Sequence, residues 1–385
     1  MKLPQTPFYY YDTALLERTL STIQEVTRND EQFCIHYAIK ANNNPLILQA
    51  IAQKGFGADC VSGGEIKQAV AAGIPAAKIV FAGVGKTDKE IDYALSQDIG
   101  CFNVESIPEL RVINERAMAM GKKANIAFRV NPNINAHTHQ KITTGLNENK
   151  FGITIVQLIQ SIREAQKLEG IEFRGLHFHI GSQITDVSTF IPLCECVNEL
   201  QTMLEEHNIW APTINVGGGL GINYDDPKNN PIPDFESYFK VFRDNLFIRP
   251  GQTLHFELGR SIVAQCGTLV SKVLYVKEGV QKTFVILDAG FSDMARVAMY
   301  DAYHFIENLT PQHKTKQYYD VVGPICESTD VFAHHRLIYN THRGDIYALR
   351  SAGAYGEVMA SHYNSRELPK SYSNLDFDLD ELIGN

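Results

Sequence analysis

The side chain most able to do covalent chemistry is Lys40, which directly follows the largely apolar run Ile35–Ile39 in HYAIKAN. An amine that emerges from a buried strand is poorly solvated, which lowers its pKa and prepares it to form a Schiff base with an aldehyde. The alternative is a structural lysine whose ammonium reaches solvent from a strand end. The position alone leaves both interpretations open.

A glycine-rich segment, Gly217-Gly218-Gly219-Leu220-Gly221, is typical of a phosphate site. Without side chains, the backbone can approach an anion closely and present its N–H groups. The spacing does not match G-x-G-x-x-G with a following acidic residue, which argues against a dinucleotide-binding fold. A flexible turn is the alternative interpretation.

Glu257, in HFELGR, is the third candidate because it follows apolar residues on a predicted interior strand. A buried carboxylate needs a cationic partner. A protonated pyridine nitrogen would serve, and such a ring would act as an electron sink. An ion pair with nearby Arg260 is the alternative.

His177 and His179 lie two apart and therefore share one face of a strand, as a pair of metal ligands would. No third ligand follows at a convincing spacing, so we predict no metal site. Gly181-Ser182-Gln183 suits a phosphate contact, and His179 suits stacking on a flat ring. We expect other histidines to be solvated loop residues, namely His137, His139, His334 and His335.

These residues fall at the ends of short apolar runs that alternate with segments of helical periodicity, a pattern that predicts βα units. In addition to the residues above, Asp59 lies in the second run and Arg129 near the end of the fifth. We predict a (β/α)8 TIM barrel with functional groups at the C-terminal strand ends. An open doubly wound sheet is the alternative. The eight predicted strands are Cys34–Lys40, Gly57–Ser62, Lys78–Gly83, Gly100–Glu105, Ala124–Asn131, Phe173–Gly181, Thr213–Gly219 and Leu254–Arg260.

After about residue 262 the pattern changes to strand-like runs separated by turns and a long loop, which predicts a C-terminal β-sandwich or β-barrel domain. The runs are Thr268–Val276, Thr283–Asp288 and Asp345–Ser351. The opening PFYYYD is also strand-like and is expected to join that domain. The predicted domains are therefore residues 26–262 for the barrel, and residues 1–25 with 263–385 for the β-domain.

The composition excludes several classes of protein. A net charge of −9 without a basic run argues against a nucleic-acid partner. No stretch approaches the roughly twenty apolar residues that a membrane span needs. The start lacks the features of a secretion signal and the seven cysteines show no paired framework, so we expect a cytoplasmic protein with reduced thiols.

The motifs, taken in order, resemble those of the meso-diaminopimelate decarboxylases, a family of pyridoxal-phosphate enzymes with the alanine-racemase-like fold. The resemblance covers nearly the whole chain. It rests on HYAIKAN (36–42), GADCVSGGE (57–65), TGL with KFGI (ending at 153), HFHIGSQI (177–184), GGGLGINY (217–224), ELGR (257–260), GPICESTD (323–330) and AGAYG (352–356).

The resemblance implies a pyridoxal 5'-phosphate site in which Lys40 holds the cofactor as a Schiff base, His179 stacks on its ring and Glu257 binds its pyridine nitrogen. Cys326 would come from the partner subunit of a homodimer and protonate the carbanion, with Glu327 beside it. Other implied cofactor contacts are Asp59, Arg129, Ser182, Gly217, Gly218, Gly219, Leu258, Gly259, Arg260 and Tyr355.

The implied activity is decarboxylation of meso-2,6-diaminopimelate to L-lysine, the last step of lysine biosynthesis. The second carboxylate of this substrate requires cationic partners and its second ammonium requires an anion. Arg260, Arg296 and Tyr300 match the family's carboxylate binders, Glu327 its ammonium binder, and Tyr355 is expected to touch both phosphate and substrate. A surface ion pair is the alternative for Arg296.

Two departures from the family pattern bear on geometry. Leu258 stands where the family usually has Pro, and RVAMYDAYH replaces a sequence closer to RPALYGAYH. Three rival functions remain at this point. They are a decarboxylase of ornithine, arginine or a carboxylated polyamine, a racemase of the same fold, and a non-catalytic cofactor-binding protein.

Overall fold

The computed structural model describes residues 3–134 and 150–384, so His137, His139 and the TGL motif lie outside the described residues. The chain forms two compact units. The barrel unit comprises Leu20–Gly221 and Asp234–Gly259, and the sheet unit comprises the residues up to Thr19, Ile222–Pro233 and those from Arg260 onward. The domain boundaries at residues 26 and 262 stay a prediction.

The strands of both units follow in chain order. They are β1 (Phe8–Tyr11), β2 (Phe33–Ala38), β3 (Gly57–Cys60), β4 (Ile79–Phe81), β5 (Cys101–Val104), β6 (Ala124–Asn131), β7 (Ile153–Thr154), β8 (Ile171–His177), β9 (Thr213–Asn215), β10 (Thr253–Leu258), β11 (Gly267–Glu278), β12 (Thr283–Leu287), β13 (Ile306–Asn308), β14 (Lys316–Val322), β15 (Val331–Tyr339), β16 (Ile346–Leu349) and β17 (Lys370–Ser373).

The α-helices are numbered in the same way. They are α1 (Thr13–Val26), α2 (Pro45–Gln53), α3 (Gly63–Ala71), α4 (Asp88–Ser96), α5 (Ile107–Ala119), α6 (Leu158–Ala165), α7 (Ile191–Glu206), α8 (Phe235–Asn245), α9 (Arg260–Val263), α10 (Arg296–Tyr300) and α11 (Leu379–Ile383).

A closed parallel barrel accounts for all eight predicted strands. Its order is β5-β4-β3-β2-β10-β9-β8-β6, and β5 pairs with β6 to close the ring. The short strand β7 adds to β6. Closure confirms the TIM barrel and excludes the open doubly wound sheet. The strands end slightly earlier than predicted: Lys40 lies in a 3-10 turn after β2, and Arg260 begins α9.

Local signals in the sequence explain where the barrel helices begin. Ser62 caps α3 by accepting from the Glu65 N–H, and Thr87 forms a reciprocal capping box with Glu90 at α4. Aromatic packing then fixes helices on strands: the Phe256 ring of β10 lies 5.0 Å from Phe239 on α8. These contacts hold the C-terminal strand ends, where the candidate residues lie, in a fixed frame.

The sheet unit is a mixed sheet that confirms the separate β-domain. Its order is β13-β16-β11-β12-β14-β15, and β1 pairs antiparallel with β11 and parallel with β17. The opening strand therefore joins the C-terminal sheet as predicted. The prediction of a long loop in this domain is wrong, because the segment contains β13, β14 and β15. His334 and His335 lie within β15, and the His335 ring stacks 4.1 Å from that of Tyr318.

The sheet unit has its own apolar core around Phe8, Val270, Leu309 and Leu379. Burying such side chains contributes roughly 1.5–3 kcal/mol each. Among residues 3–134 and 150–384, no helix combines the length and apolarity needed to traverse a bilayer.

Candidate active site

Lys40, just beyond the C-terminal end of β2, forms an ion pair with Asp59, which lies within β3. The Lys40 Nζ lies 3.1 Å from Asp59 Oδ2, and the carboxylate is fully buried whereas the lysine side chain is 37% exposed. Burial and the charge of Glu257 raise the pKa of Asp59, while Lys40 opposes them. The other oxygen, Asp59 Oδ1, is buried without a hydrogen-bond partner among the described residues. Lys40 is therefore accessible and has a fixed anionic neighbour.

Glu65, which the sequence reasoning missed as a site residue, lies next to this pair at the start of α3. Its Oε2 accepts a hydrogen bond from the Val61 N–H at 2.7 Å. Burial raises the pKa of Glu65 to about 7, with the Val61 N–H opposing and Asp59 adding to the rise. Glu65 therefore titrates near neutral pH. Its position at the end of the GADCVSGGE motif is the feature of the sequence that could have identified it as a site residue.

Glu257 is an ionised carboxylate inside the barrel. Its Oε1 accepts from Asn103 Nδ2 at 3.2 Å and Asn215 Nδ2 at 2.7 Å, and its Oε2 accepts from His177 Nε2 at 3.0 Å. Burial opposes ionisation, but His177 and Lys40 outweigh it and hold the pKa of Glu257 well below its usual value.

These contacts decide between two earlier interpretations. The hydrogen-bond partners of Glu257 are two amides and an imidazole. The carboxylate is therefore stabilised by these groups and not by an ion pair with Arg260. His177 donates a hydrogen bond to this carboxylate, which explains why the first histidine of the His177/His179 pair is present. Asn103 and Asn215 were missed, although each polar amide stands out in an apolar strand.

His179 presents a neutral ring. Desolvation, followed by the charges of Lys40 and Arg129, lowers its pKa well below the usual value. The Gly218 N–H points at His179 Nδ1 from 3.3 Å, which makes Nδ1 the acceptor and places the proton on Nε2. An uncharged flat ring held by the backbone is suited to stacking on another flat ring.

The glycine segment after β9 is close-packed, not a flexible turn. A Cβ at Gly217 would lie 2.2 Å from the Phe178 carbonyl, and one at Gly218 would lie 1.9 Å from the Glu257 carbonyl. Gly219 has a φ of +119°, which favours glycine. The Gly217 N–H donates to Asn215 Oδ1 at 2.9 Å. Two of the three predicted phosphate donors therefore already have partners within the protein.

Arg129 is held by Glu105, a residue that the sequence reasoning did not assign. Arg129 Nη1 donates to Glu105 Oε1 at 2.9 Å, and the same carboxylate accepts from the N–H groups of Gly83 and Gly152. The guanidinium also lies 4.4 Å from the centre of the Phe151 ring. Glu105 thus fixes Arg129 to two neighbouring loops.

The remaining predicted barrel residues follow their strands. Ser182 is half-buried beyond β8, Leu258 is the last residue of β10, and Gly259 follows it. A Cβ on Gly259 would lie 3.2 Å from the side chains of Ala38 and Ala41. The small residues let β2 and β10 approach closely beside Lys40.

In the sheet unit, two buried arginines surround Tyr224. Arg260 Nη1 donates to the Tyr224 hydroxyl at 2.8 Å, and Arg296 lies 5.0 Å from the centre of the Tyr224 ring. Arg296 Nη1 also contacts His304 Nε2 at 3.0 Å. Arg296 is 6% exposed, so the surface ion pair is wrong for this residue.

Tyr300 and Tyr355 complete this side of the sheet unit. Tyr300 ends α10, one helical turn after Arg296, which places the two on one face. Tyr355 has a φ of +57°, and the Arg260 guanidinium carbon lies 4.9 Å from its ring centre. A non-glycine residue in this region of backbone space is often functional.

Cys326 and Glu327 lie on an exposed turn before β15. The Cys326 N–H donates to Asn364 Oδ1 at 3.2 Å, and Glu327 accepts from the Tyr363 hydroxyl at 2.6 Å. Asp330 braces the turn by accepting the N–H groups of Phe291 and Ile325, each at 2.7 Å. The thiol and the carboxylate are thus presented outward on a rigid support.

Comparison with known proteins identifies the family. Residues 14–264 match the model of the pyridoxal-dependent decarboxylase, pyridoxal binding domain. A diaminopimelate decarboxylase of Bacteroides thetaiotaomicron is 58% identical over 379 residues, which cover 98% of this chain and 97% of that protein. The chain belongs to the diaminopimelate decarboxylase family of pyridoxal-dependent decarboxylases.

Solved structures of this family have the same fold. Diaminopimelate decarboxylase from Helicobacter pylori, complexed with L-lysine, gives a TM-score of 0.90 at 40% identity, covering 96% of this chain and 92% of that one. A lysine/ornithine decarboxylase from Vibrio vulnificus, at 21% identity and a TM-score of 0.82, shares the fold alone; the match covers 96% of this chain and 94% of that one.

The barrel residues fit the cofactor that names the decarboxylase family. An ionised carboxylate, Glu257, is held in the interior, where a protonated pyridine nitrogen would neutralise it. Lys40 is an accessible amine, and Asp59 Oδ1 is a buried acceptor with no hydrogen-bond partner in the described part of the chain. His179 supplies a neutral ring. These features together match a flat, cationic heterocycle that carries an aldehyde.

Proposed function

We propose that this protein decarboxylates meso-2,6-diaminopimelate to L-lysine and carbon dioxide with pyridoxal 5'-phosphate as cofactor. The observation that carries the chemistry is Glu257, an ionised carboxylate that three donors hold inside the barrel. Support for the substrate comes from the near-complete coverage of a diaminopimelate decarboxylase at 58% identity.

Bound pyridoxal phosphate supplies an aldehyde that bonds an amine and a protonated ring that accepts the electrons left behind by departing carbon dioxide. Lys40 would hold the cofactor covalently until substrate arrives. Glu257 would keep the proton on the ring nitrogen, because loss of that proton would leave the carboxylate uncompensated in the interior. His179 would stack on the ring, and its neutral state avoids repulsion with a cationic ring.

Residues of the glycine segment, with Ser182, Arg129, Arg260 and Tyr355, would hold the phosphate and the rest of the cofactor. Leu258 and Gly259 keep the loop after β10 compact. Because the N–H groups of Gly217 and Gly218 already have partners, Gly219 is the best backbone donor in the segment.

Cys326 of a neighbouring subunit would deliver the proton that replaces the lost carboxylate, and Glu327 would bind the second ammonium. Their outward position on a braced turn supports a homodimer with shared sites, since an exposed group is available to a partner. We further propose that the enzyme is cytoplasmic, because all seven cysteines are free thiols, as is usual in a reducing compartment.

Substrate choice would depend on Arg260, Arg296, Tyr300 and Tyr355, which together offer two cations and hydroxyl groups to the distal carboxylate. Ornithine has no such carboxylate and would leave Arg296 buried without an anion.

The test is carbon dioxide release from meso-diaminopimelate, ornithine and arginine by the holoenzyme. Turnover of diaminopimelate with rates at least about 100-fold lower on the other two is the expected result, since they lack the carboxylate that would accept charge-assisted hydrogen bonds from the arginines. Activity on ornithine without activity on diaminopimelate would overturn the substrate assignment. A borohydride-sensitive absorbance band with no turnover of any amino acid would instead indicate a cofactor-binding protein.

A further inference from the structure

Tyr224 is a buried residue of the sheet unit to which no role was assigned. It belongs to Ile222–Pro233, a short segment that leaves the barrel sequence and packs with the unit containing Arg260 and Arg296. The side chain is 8% exposed, so it cannot contact solvent extensively. Its contacts therefore serve the interior of that unit.

Tyr224 contacts both arginines, and Arg296 interacts with its hydroxyl as well as with its ring. Its hydroxyl accepts from Arg260 Nη1 at 2.8 Å. Its ring lies against Arg296, whose guanidinium carbon is 5.0 Å from the ring centre. Burial opposes ionisation of the phenol, but Arg260 and Arg296 outweigh it and lower the pKa of Tyr224. One phenol thus brings two like charges close together.

The second partner of Arg296 is also neutral. His304 Nδ1 faces the Arg350 carbonyl at 2.9 Å, so it must be the donor there, and His304 Nε2 accepts from Arg296 at 3.0 Å. Burial, followed by the charge of Arg296, lowers the pKa of His304 to about 3, which keeps the ring uncharged. Within residues 3–134 and 150–384, Arg296 forms no ion pair. Its charge is therefore oriented without being neutralised.

We infer that Tyr224 is a positioning residue that fixes the spacing and orientation of the Arg260 and Arg296 guanidiniums so that together they bind the carboxylate farther from the reacting carbon. This inference rests on the proposed function and deepens it. The hydroxyl sets the direction of Arg260, and the ring sets the plane of Arg296. Neither contact supplies a negative charge that would compete permanently with the substrate.

The side chain can be reduced in two steps. Tyr224→Phe keeps the ring against Arg296 and removes the hydroxyl, which accepts from Arg260 and also interacts with Arg296. Tyr224→Met keeps apolar volume but removes both the ring and the hydroxyl. Tyr238→Phe is the matched control, because the Tyr238 hydroxyl is buried without a hydrogen-bond partner in the described ranges and lies in the barrel unit.

L-Lysine and cadaverine are the probes, since they differ by one carboxylate. Each is titrated into the holoenzyme, and kinetics are measured with meso-diaminopimelate. Tyr224→Phe is expected to bind lysine roughly 10-fold more weakly, as for a lost hydrogen bond to a charged group, with cadaverine binding changed less than about twofold. KM should rise while kcat stays within about twofold, because the lost contact acts on both ground and transition states. Tyr224→Met should show a larger loss for lysine alone.

Two results would overturn the inference: lysine affinity unchanged in both Tyr224 variants, or equal weakening of lysine and cadaverine. The first denies any effect on the arginines, and the second indicates general disruption of the site. The Tyr238→Phe control must bind lysine as the wild type does. If the wild type fails to decarboxylate diaminopimelate but its lysine binding still depends on Tyr224, the proposed function fails and the inference stands.

Discussion

Replacing Glu257 by Gln removes one buried negative charge and keeps nearly the same shape. The new amide oxygen can still accept from Asn103 and Asn215, which both point at Oε1 in the native protein. The amide nitrogen then faces His177 Nε2, which donates to Glu257 in the native protein at 3.0 Å. Because His177 Nδ1 has no hydrogen-bond partner in the described residues, the ring can move its proton there and let Nε2 accept.

The variant should therefore fold, and its defect should appear in catalysis. Loss of a preorganised charge that acts on developing charge in the transition state costs roughly 2–4 kcal/mol, which corresponds to a decrease in kcat of about 30- to 1000-fold. A tautomer change with all donors satisfied should lower the free energy of unfolding by no more than about 1–2 kcal/mol.

The assay measures single-turnover carbon dioxide release by holoenzyme, with cofactor content determined from absorbance and Tm from scanning calorimetry. Glu109→Gln is the control, since Glu109 is a largely buried carboxylate paired with Lys86 at 2.6 Å and has no assigned catalytic role. That variant should lose stability and keep most of its kcat. A Glu257→Gln protein that retains cofactor and turns over within about threefold of the wild type would refute the electron-sink role.

Three further predictions concern single side chains. Lys40→Ala should abolish steady-state turnover and the borohydride-sensitive absorbance, and a wild-type rate would remove its covalent role. Cys326→Ala should lower kcat at least about 10-fold with little change in KM, because protonation follows binding; an unchanged kcat in stopped-flow assays would reassign the donor. Glu65→Gln should keep the Val61 hydrogen bond and alter the pH dependence of stability. Because the folded pKa of Glu65 is about 7, above its usual 4.5, its favourable contribution is complete below pH 4.5 and is lost as the pH rises through 7. Calorimetry should thus show the variant gaining up to about 3 kcal/mol over the wild type between pH 4.5 and pH 8, and a constant difference would contradict this.

Most of the barrel could be predicted because its signals are local. Each interior strand reads as a short apolar run, and several helices begin at a capping residue such as Ser62 or Thr87. The strands from residue 306 to 339 were missed because only three of the nine residues of β15 are buried, and the polar His334 and His335 lie exposed in its middle. Edge strands of this kind lack the apolar contrast that identifies buried ones.

The candidate residues with unusual chemistry could be predicted from the sequence, but the residues that hold them in place through hydrogen bonds could not. Glu257 stands out as a charge in an apolar strand, and Lys40 as a charge that directly follows one. Asn215 and Glu105 act through hydrogen bonds to residues 42 and 24 positions away, to Glu257 and Arg129 respectively, and no spacing rule reveals such pairs. Tyr224 was visible only as part of a motif, because its role depends on two arginines that the fold brings to it.

The pairing of β1 links distant parts of the chain and bears on how the protein forms during translation. Its two neighbours follow about 260 residues later in β11 and about 360 residues later in β17, so closing these contacts is entropically slow and requires nearly the whole polypeptide. All eight barrel strands, by contrast, have been synthesised once residue 258 leaves the ribosome. A nascent chain at that stage contains the complete barrel sequence and the aromatic segment FYYY, whose partner strands have not yet been synthesised. This exposed segment is a site that a chaperone could bind until β11 and β17 emerge.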